Sequence, residues 1–256
     1  MIEVSVFEWS YQVLALLVFV AFTAGFVSAI AGAGGLIVLP VLLAVGLPPL
    51  NALATNKFQS VFGTLSSALN FLRKGHIDLA SMRASLCYAF VGAVLGTLAV
   101  QQIDTGLLER ILPYLLIVLA LYIACSPRMS NEDRQPRWSA KRFDPTVAGG
   151  IGFYGGFLGP GMGSFFAVAF TSLRGYNLRR ATAHTKPLVL VTNTTSLVIF
   201  VLAGQVVWGL AVAMAVAQFV GARLGSQLVI TRGASLVQPA LVVVTLTLAL
   251  KLLLFP

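Results

Sequence analysis

Residues 90–96 read FVGAVLG and residues 219–225 read FVGARLG, one seven-residue string written twice with Val94 exchanged for Arg223. The same offset of 129 positions pairs Gly46 with Gly175, Ala52 with Ala181, Ala54 with Ala183 and Lys57 with Lys186. It goes on to pair Phe71 with Phe200 and Gly75 with Gly204. The glycine clusters GAGG (32–35) and GPGMG (159–163) correspond after a two-residue gap. One such match would carry nothing; this many at one offset mark a duplicated structural unit.

The unit is built for a bilayer. Hydrophobic residues make up 58% of the 256 and charged residues only 10%, with a mean hydropathy of +0.91; soluble domains carry about 25% charged residues. Apolar runs of about 20 residues recur along the chain, each long enough to cross a membrane as a helix. The short alternating segments of a transmembrane barrel are absent. The expectation is an all-α polytopic membrane protein. A net charge of +9 could point to nucleic acid, but the Lys and Arg fall in short segments between apolar runs, where orientation signals belong. No basic domain is present to carry nucleic acid. Cys87 and Cys125 sit in apolar runs without metal-type spacing and read as small buried hydrophobes.

Each half reads alike. An apolar segment (about 11–31; about 145–158) runs into its glycine cluster, and a short apolar segment follows (36–47; 164–173). Three longer helices come next, about 53–72, 79–100 and 107–125, then about 183–203, 207–229 and 236–255. The expected organisation is an N-terminal repeat (1–125), a polar linker (126–144) and a C-terminal repeat (145–256) that together form one transport domain. Matched loops differ in charge. RKGH (73–76), RGYNLRR (174–180), TRG (231–233) and the linker are basic, whereas AGQV (203–206), GLPPLN (46–51) and QQIDTG (101–106) carry no basic residue. All basic segments share one side if the halves are inserted upside down relative to each other. The positive-inside rule then makes the linker cytoplasmic and both termini external. The N-terminus, with Glu3, Glu8 and no basic residue, does not read as a cleaved signal. Inverted repeats with glycine-broken helices are the architecture of secondary transporters.

Glycine-rich breaks inside a bilayer need protein or a polar cavity around them. Gly32, Gly34, Gly35 and Gly159, Gly161, Gly163, with Ser164, therefore mark hairpin tips, spanning or re-entrant, whose second helices present free N–H groups and a positive dipole end. Such ends favour anions. The alternative is that these glycines only permit close packing, which is the leading reading for Gly92/Gly96 and Gly221/Gly225. Lys57 and Lys186 follow the hairpins at matched positions, with Thr55, Asn56 and Gln59 around one and His184 and Thr185 beside the other. Lys57, Ser60, Thr64 and Ser67 share a helical face, and Asn193 lies two turns beyond Lys186. Pro187 withholds an N–H, so AHTK (183–186) reads as unwound or as a helix start. The competing reading of both lysines is a snorkelling anchor. Every Asp and Glu falls in a loop or near a helix end, so no intramembrane carboxylate offers a cation or proton site. The expectation is an anion-binding site between the repeats made of the tip glycines with Ser164, the two lysines, Thr55, Asn56, Gln59, His184, Thr185 and Asn193, with no metal and no cofactor.

No HExxH, GxSxG or P-loop occurs, and the chain does not read as an enzyme. The stretches AGAGGLIVLP, GLPPLNALATNKFQS, GFLGPGMGSFFAVAF, GYNLRRATAHTKPLVLVTN and QFVGARLGSQLV resemble the TauE/SafE sulfite-exporter family over almost the whole chain, closest to its YfcA-type branch. The resemblance implies export of small sulfur-containing anions, sulfite or organosulfonates, by a secondary transporter of the bacterial inner membrane. A passive anion channel and an importer of thiosulfate-like anions are the alternatives. The expected partners are that anion and the lipid bilayer, and a homodimer is left open.

Overall fold

A computed structural model describes residues 10–124 and 132–232, and these residues contain helices and connecting turns without a strand. The first half runs α1 (Tyr11–Ala31), α2 (Gly35–Ala44), α3 (Pro49–Arg73), a 3-10 turn (Ala80–Met82), α4 (Arg83–Val100) and α5 (Thr105–Ala124). The second runs α6 (Ala140–Phe143), a π turn (Asp144–Ala148), α7 (Gly149–Phe157), α8 (Met162–Leu173), α9 (Leu178–Leu202) and α10 (Trp208–Arg232). The expected last helix at 236–255, Cys125, the acidic start and the first part of the linker lie outside the described residues.

Among the described residues four helices are long and apolar enough to cross a membrane: Tyr11–Ala31, Ala80–Val100, Leu178–Leu202 and Trp208–Thr231. Their exposed faces are mostly apolar, for instance Phe90, Val91 and Leu95 on α4 and Val212, Val216 and Val220 on α10, with Arg223 of α10 as an exposed exception. The polar residues point inward instead. Thr64, Ser66, Ser67 and Asn70 of α3 and Thr192, Asn193 and Ser196 of α9 are buried, and these two helices pack against each other at the centre. Apolar outside and polar inside is the arrangement a lipid solvent selects. Cys87 follows from the same inversion: it is exposed on α4 and not buried as its apolar setting suggested, because an apolar residue here can face lipid.

Positions matched in the sequence pack alike. α1 lies on α10, and α7 lies on α4. A Cβ on Gly221 would overlap the Phe22 carbonyl, and one on Gly225 the Phe26 carbonyl; at the matched positions Gly92 meets the Gly149 carbonyl and Gly96 the Phe153 carbonyl. The expected close packing at both GxxxG pairs is therefore present, with backbone against backbone. Helix ends repeat as well. α3 closes with a bond from His76 N to Phe71 O, and α9 with one from Gln205 N to Phe200 O, both 3.0 Å. Gly75 and Gly204 take the left-handed turn residue at φ 71° and 68°, the six-to-one closure that glycine allows.

Three expected boundaries shift. α3 begins at Pro49 behind Pro48, because proline is pre-set for a first helical turn. α9 begins at Leu178, where the Asn177 side chain accepts from Arg180 N at 2.9 Å, and it passes through Pro187 without a break. AHTK is thus helical rather than unwound: the ring removes only the donor to the Ala183 carbonyl, and the cap and packing on both sides hold the helix. Residues 140–148, expected as the end of the linker and the start of the next helix, already form the helical turns that lead into α7.

The loops sort by charge. Arg137 N and Trp138 N donate to Leu173 O at 2.9 and 3.0 Å, Arg134 N donates to Gly175 O at 2.7 Å, and Asn177 N donates to Asp133 Oδ1 at 2.7 Å. The 75–78 loop and the start of α9 line one cleft. The basic 73–78, 132–142 and 174–180 segments therefore gather at one end. At the other end Asn51 Nδ2 donates to Gln205 O at 2.9 Å and Val207 N to Thr55 Oγ1 at 3.3 Å, joining two loops without basic residues.

Candidate anion site at the hairpin tips

The tips form because α1 and α7 stop at glycine. Gly32 caps α1 in the left-handed conformation at φ 75°, its N–H reaching Ser28 O. Gly159 and Gly161 take φ 94° and 77° between α7 and α8. α2 and α8 have ten and twelve residues, about 15 and 18 Å at 1.5 Å per residue, roughly half of a ~30 Å hydrocarbon core. Gly34 precedes α2 and Gly35 opens it. The two tips touch: a Cβ on Gly163 would fall 2.6 Å from Gly32 Cα, and Ser164 Oγ donates to Ala31 O at 2.5 Å. Gly35 faces Pro160 and Asn56, where its Cβ would lie 3.2 Å from Pro160 Cα and 3.4 Å from Asn56 Nδ2.

Into these tips reach the two lysines. Lys57 and Lys186 each stand eight residues after the first residue of their helix. They are 1% and 3% exposed, so neither snorkels to a surface. Lys57 Nζ donates to the Gly155 carbonyl and, at 3.2 Å, to Asn193 Oδ1; it also occupies the place where a Cβ on Gly159 would go. Lys186 Nζ donates to the Ser28 carbonyl at 2.8 Å. Ser28 and Gly155 are matched positions in the last turns of α1 and α7, so each lysine crosses to the broken helix of the other half.

These carbonyls belong to helix C-termini, each worth roughly −0.5 of an elementary charge, while the N-termini of α2 and α8 contribute roughly +0.5 each. With both amines protonated, two ammonium groups over two such pairs of ends make the centre positive. Among the described residues no carboxylate lies within ion-pair distance of either lysine; the ion pair present joins Arg180 to Asp133 at 3.8 Å. A buried charge held only by neutral dipoles is incompletely compensated. What would complete it is an anion.

The remaining sequence candidates separate into groups. Lys57, Asn193, Asn56, Gly35, Gly32, Gly159, Gly163 and Ser164 converge at the tips, with Gly161 capping α8 beside them. Gln59 is fully buried with its Nε2 3.5 Å from Asn56 Oδ1 and its Oε1 without a partner. Thr185 Oγ1 turns back to Thr182 O at 2.8 Å. Thr55 faces the neutral end through Val207, and His184 lines the cleft at the basic end. The sequence did not single out Ser28 and Gly155, whose backbone carbonyls take the lysines. It also passed over Gln218, a buried glutamine in α10 whose Oε1 has no partner and whose side chain fills the space at Gly25 and Gly63. A lone amide inside an apolar run was the available signal.

The chain matches the family model described as "Sulfite exporter TauE/SafE" over residues 17–252. It is 43% identical over 249 residues to the "Probable membrane transporter protein YfcA" of Escherichia coli strain K12, covering 97% of this chain and 93% of that protein. It is 40% identical over 241 residues to a "Probable membrane transporter protein" of Haemophilus influenzae, covering 94% of each. A third relative, the "Probable membrane transporter protein ORF9" of Sinorhizobium sp, is 40% identical over 249 residues, covering 97% of this chain and 95% of the relative. No solved structure matches the chain. With the model matched over most of its length and relatives covered almost end to end, this all-helical membrane protein belongs to the TauE/SafE sulfite exporter family.

Proposed function

We propose that the protein is a secondary transporter of the bacterial inner membrane. In this reading it exports small sulfur-containing anions of the sulfite or organosulfonate class through a site between two inverted repeats. The observation that carries this reading is the pair of buried lysines, each bonded to a carbonyl of the opposite hairpin and neither paired with a carboxylate among the described residues. An oxyanion entering between the tips meets two ammonium donors, the positive ends of α2 and α8, and the Asn193 and Asn56 side chains. The touching tips part to admit it, and the lysines move from the carbonyls to the anion.

The membrane placement rests on the gathered basic loops. With those at the cytoplasmic face, the hairpin tips lie near mid-depth: Lys57 is about 12 Å along α3 from its start at the opposite face. Exporting an anion from an inside-negative cell is favourable by about 2.3 kcal/mol per charge per 100 mV, so net efflux needs no coupling cation. The family description and the relatives' names support a transporter; the sulfur anion and the outward direction are our own reading.

The test is a panel of labelled sulfite, thiosulfate, sulfoacetate and sulfate in proteoliposomes with an imposed potential. The reading expects a sulfur oxyanion to move and its flux to follow the potential. Strict Na⁺ dependence with no response to potential would contradict it, and unitary currents would replace the carrier with a channel.

A further inference from the structure

At the basic end a cleft of about 450 Å³ opens between the 75–78 loop and the first turns of α9, lined by His76, Asp78, Asn177, Arg179, Arg180 and His184. Arg179 and Arg180 are exposed, whereas His184 is 4% exposed and forms the floor. We propose that this cleft is a second oxyanion site, separate from the lysine pair, in which Arg179 and Arg180, above the His184 floor, load the substrate anion from the cytoplasm.

The side chains are arranged for it. Arg180 lies over the Tyr176 ring at 4.0 Å and meets Asp133 Oδ2 only at 3.8 Å, both side chains about half exposed. Its planar fork is thus positioned while its charge is weakly engaged. Arg179 has no ion-pair partner among the described residues. His184 Nδ1 lies 2.9 Å from the Arg180 carbonyl; a carbonyl can only accept, so Nδ1 carries a proton and the ring is tied to its own helix as the floor, leaving the two arginines as the anion donors. Asn177 caps α9, adding the positive end of a 25-residue helix. Asp78 opposes an anion, but its Oδ1 accepts from Ala80 N and Ser81 N at 3.0 and 3.4 Å. The bonds from Ser81 foremost hold its carboxyl below the usual range, and its charge is directed to its own turn. Two guanidinium forks lining one space suit a compact oxyanion.

The matched positions in the other half provide an independent comparison. Arg180 corresponds to Asn51, His184 to Thr55, His76 to Gln205 and Asp78 to Val207. There the same four places carry no charge and are closed, by Asn51 Nδ2 on Gln205 O and Val207 N on Thr55 Oγ1. The fold therefore does not require cations at this corner; one mouth is neutral and latched, the other cationic and open. His184 is two residues before Lys186, about 3 Å of helix rise, so the floor of the cleft and the inner site lie at neighbouring levels of α9.

This deepens the export reading and rests on it for which end faces the cytoplasm and for sulfite as the probe. An anionic lipid headgroup offers the same chemistry, and the test separates the two. Binding of radiolabelled sulfite to the full-length chain is measured in phosphatidylcholine nanodiscs, with thermal midpoints as the folding control. K57Q/K186Q should keep one saturable site; adding R179Q/R180Q should weaken it about tenfold or more, and R179K/R180K should restore part of the loss. No sulfite binding in K57Q/K186Q, or unchanged binding when both arginines are removed, overturns the proposal. In phosphatidylglycerol nanodiscs at high salt the site should persist; its disappearance there alone assigns the cleft to lipid and overturns loading of a free anion. Normal sulfite flux in K57Q/K186Q would instead overturn the lysine-site reading, and leaves the cleft to be judged by its own binding result.

Discussion

Lys186 Nζ reaches across 158 positions to donate to the Ser28 carbonyl at 2.8 Å, and Lys57 repeats the contact on Gly155, the position that matches Ser28 in the other half. Each lysine thus ties its own helix to the broken helix of its counterpart. On this geometry a shift of either hairpin would break a lysine contact from the other half of the chain.

Close helix contact makes a sharp prediction for the glycines. A Cβ at Gly96 would overlap the Phe153 carbonyl and one at Gly225 the Phe26 carbonyl, while Gly75 and Gly204 have open space around them. Gly96→Ala and Gly225→Ala should each lower the thermal midpoint markedly, by a backbone shift worth about 1–3 kcal/mol or more. Gly75→Ala and Gly204→Ala should lose only the left-handed strain, about 1–2 kcal/mol. Melting curves of the four purified variants rank them; equal losses at all four sites would contradict the packing.

The buried carboxylate of Asp144 offers a second test. It is 8% exposed and accepts from Ser85 Oγ at 2.5 Å, linking the π turn to the start of α4. Ser85→Ala leaves that oxygen without its donor and should cost about 1–3 kcal/mol, read as a lower thermal midpoint. No change in S85A would show that the contact does not hold α4 to the second half.

Much of this was legible in the chain. The offset of 129 positions located both lysines and both GxxxG contacts, and a two-residue gap brought the glycine tips into correspondence, because side chains under matched packing constraints stay matched. The partners of the lysines were not legible, since Ser28 and Gly155 act through backbone carbonyls that any residue supplies. Pro187 misled for a related reason: its missing N–H is a local signal, whereas the continuity of α9 is set by a cap at Asn177 and by packing against α3, α4, α7 and α8. Cys87 and the two-sided role of apolar residues show a limit of composition in a bilayer, where an apolar residue is at home on either surface.

Alternating access predicts an exchange between the two mouths. The neutral mouth is latched by Asn51 and Gln205, so N51C/Q205C in a background lacking Cys87 and Cys125 should crosslink and arrest transport with the basic cleft open. The matched pair, H76C/R180C, should crosslink only when the basic mouth closes, and anion supplied from the neutral side should change its yield. Crosslinking of both pairs in the same molecule would contradict a two-mouth exchange.

Topology can be read from single cysteines placed at residues 134 and 137 of the linker and at 203 of the neutral loop, in the same cysteine-free background. The linker sites should react with a membrane-impermeant maleimide only after the cells are opened, and the 203 site in intact cells. External labelling of the linker would remove the inverted arrangement.

The central claim is that Lys57 and Lys186 hold the transported anion, and sulfite affinity of K57Q/K186Q at the tip site measures it most directly. Each Gln keeps polarity and much of the length while removing a charge. Either single change should weaken binding about tenfold or more, as loss of a charge-assisted bond of about 1.5–3 kcal/mol requires. The account predicts that the double variant, folded by its thermal midpoint, loses the tight site and its flux. Wild-type affinity and flux in that same folded protein would contradict it and reduce both lysines to ties between the halves.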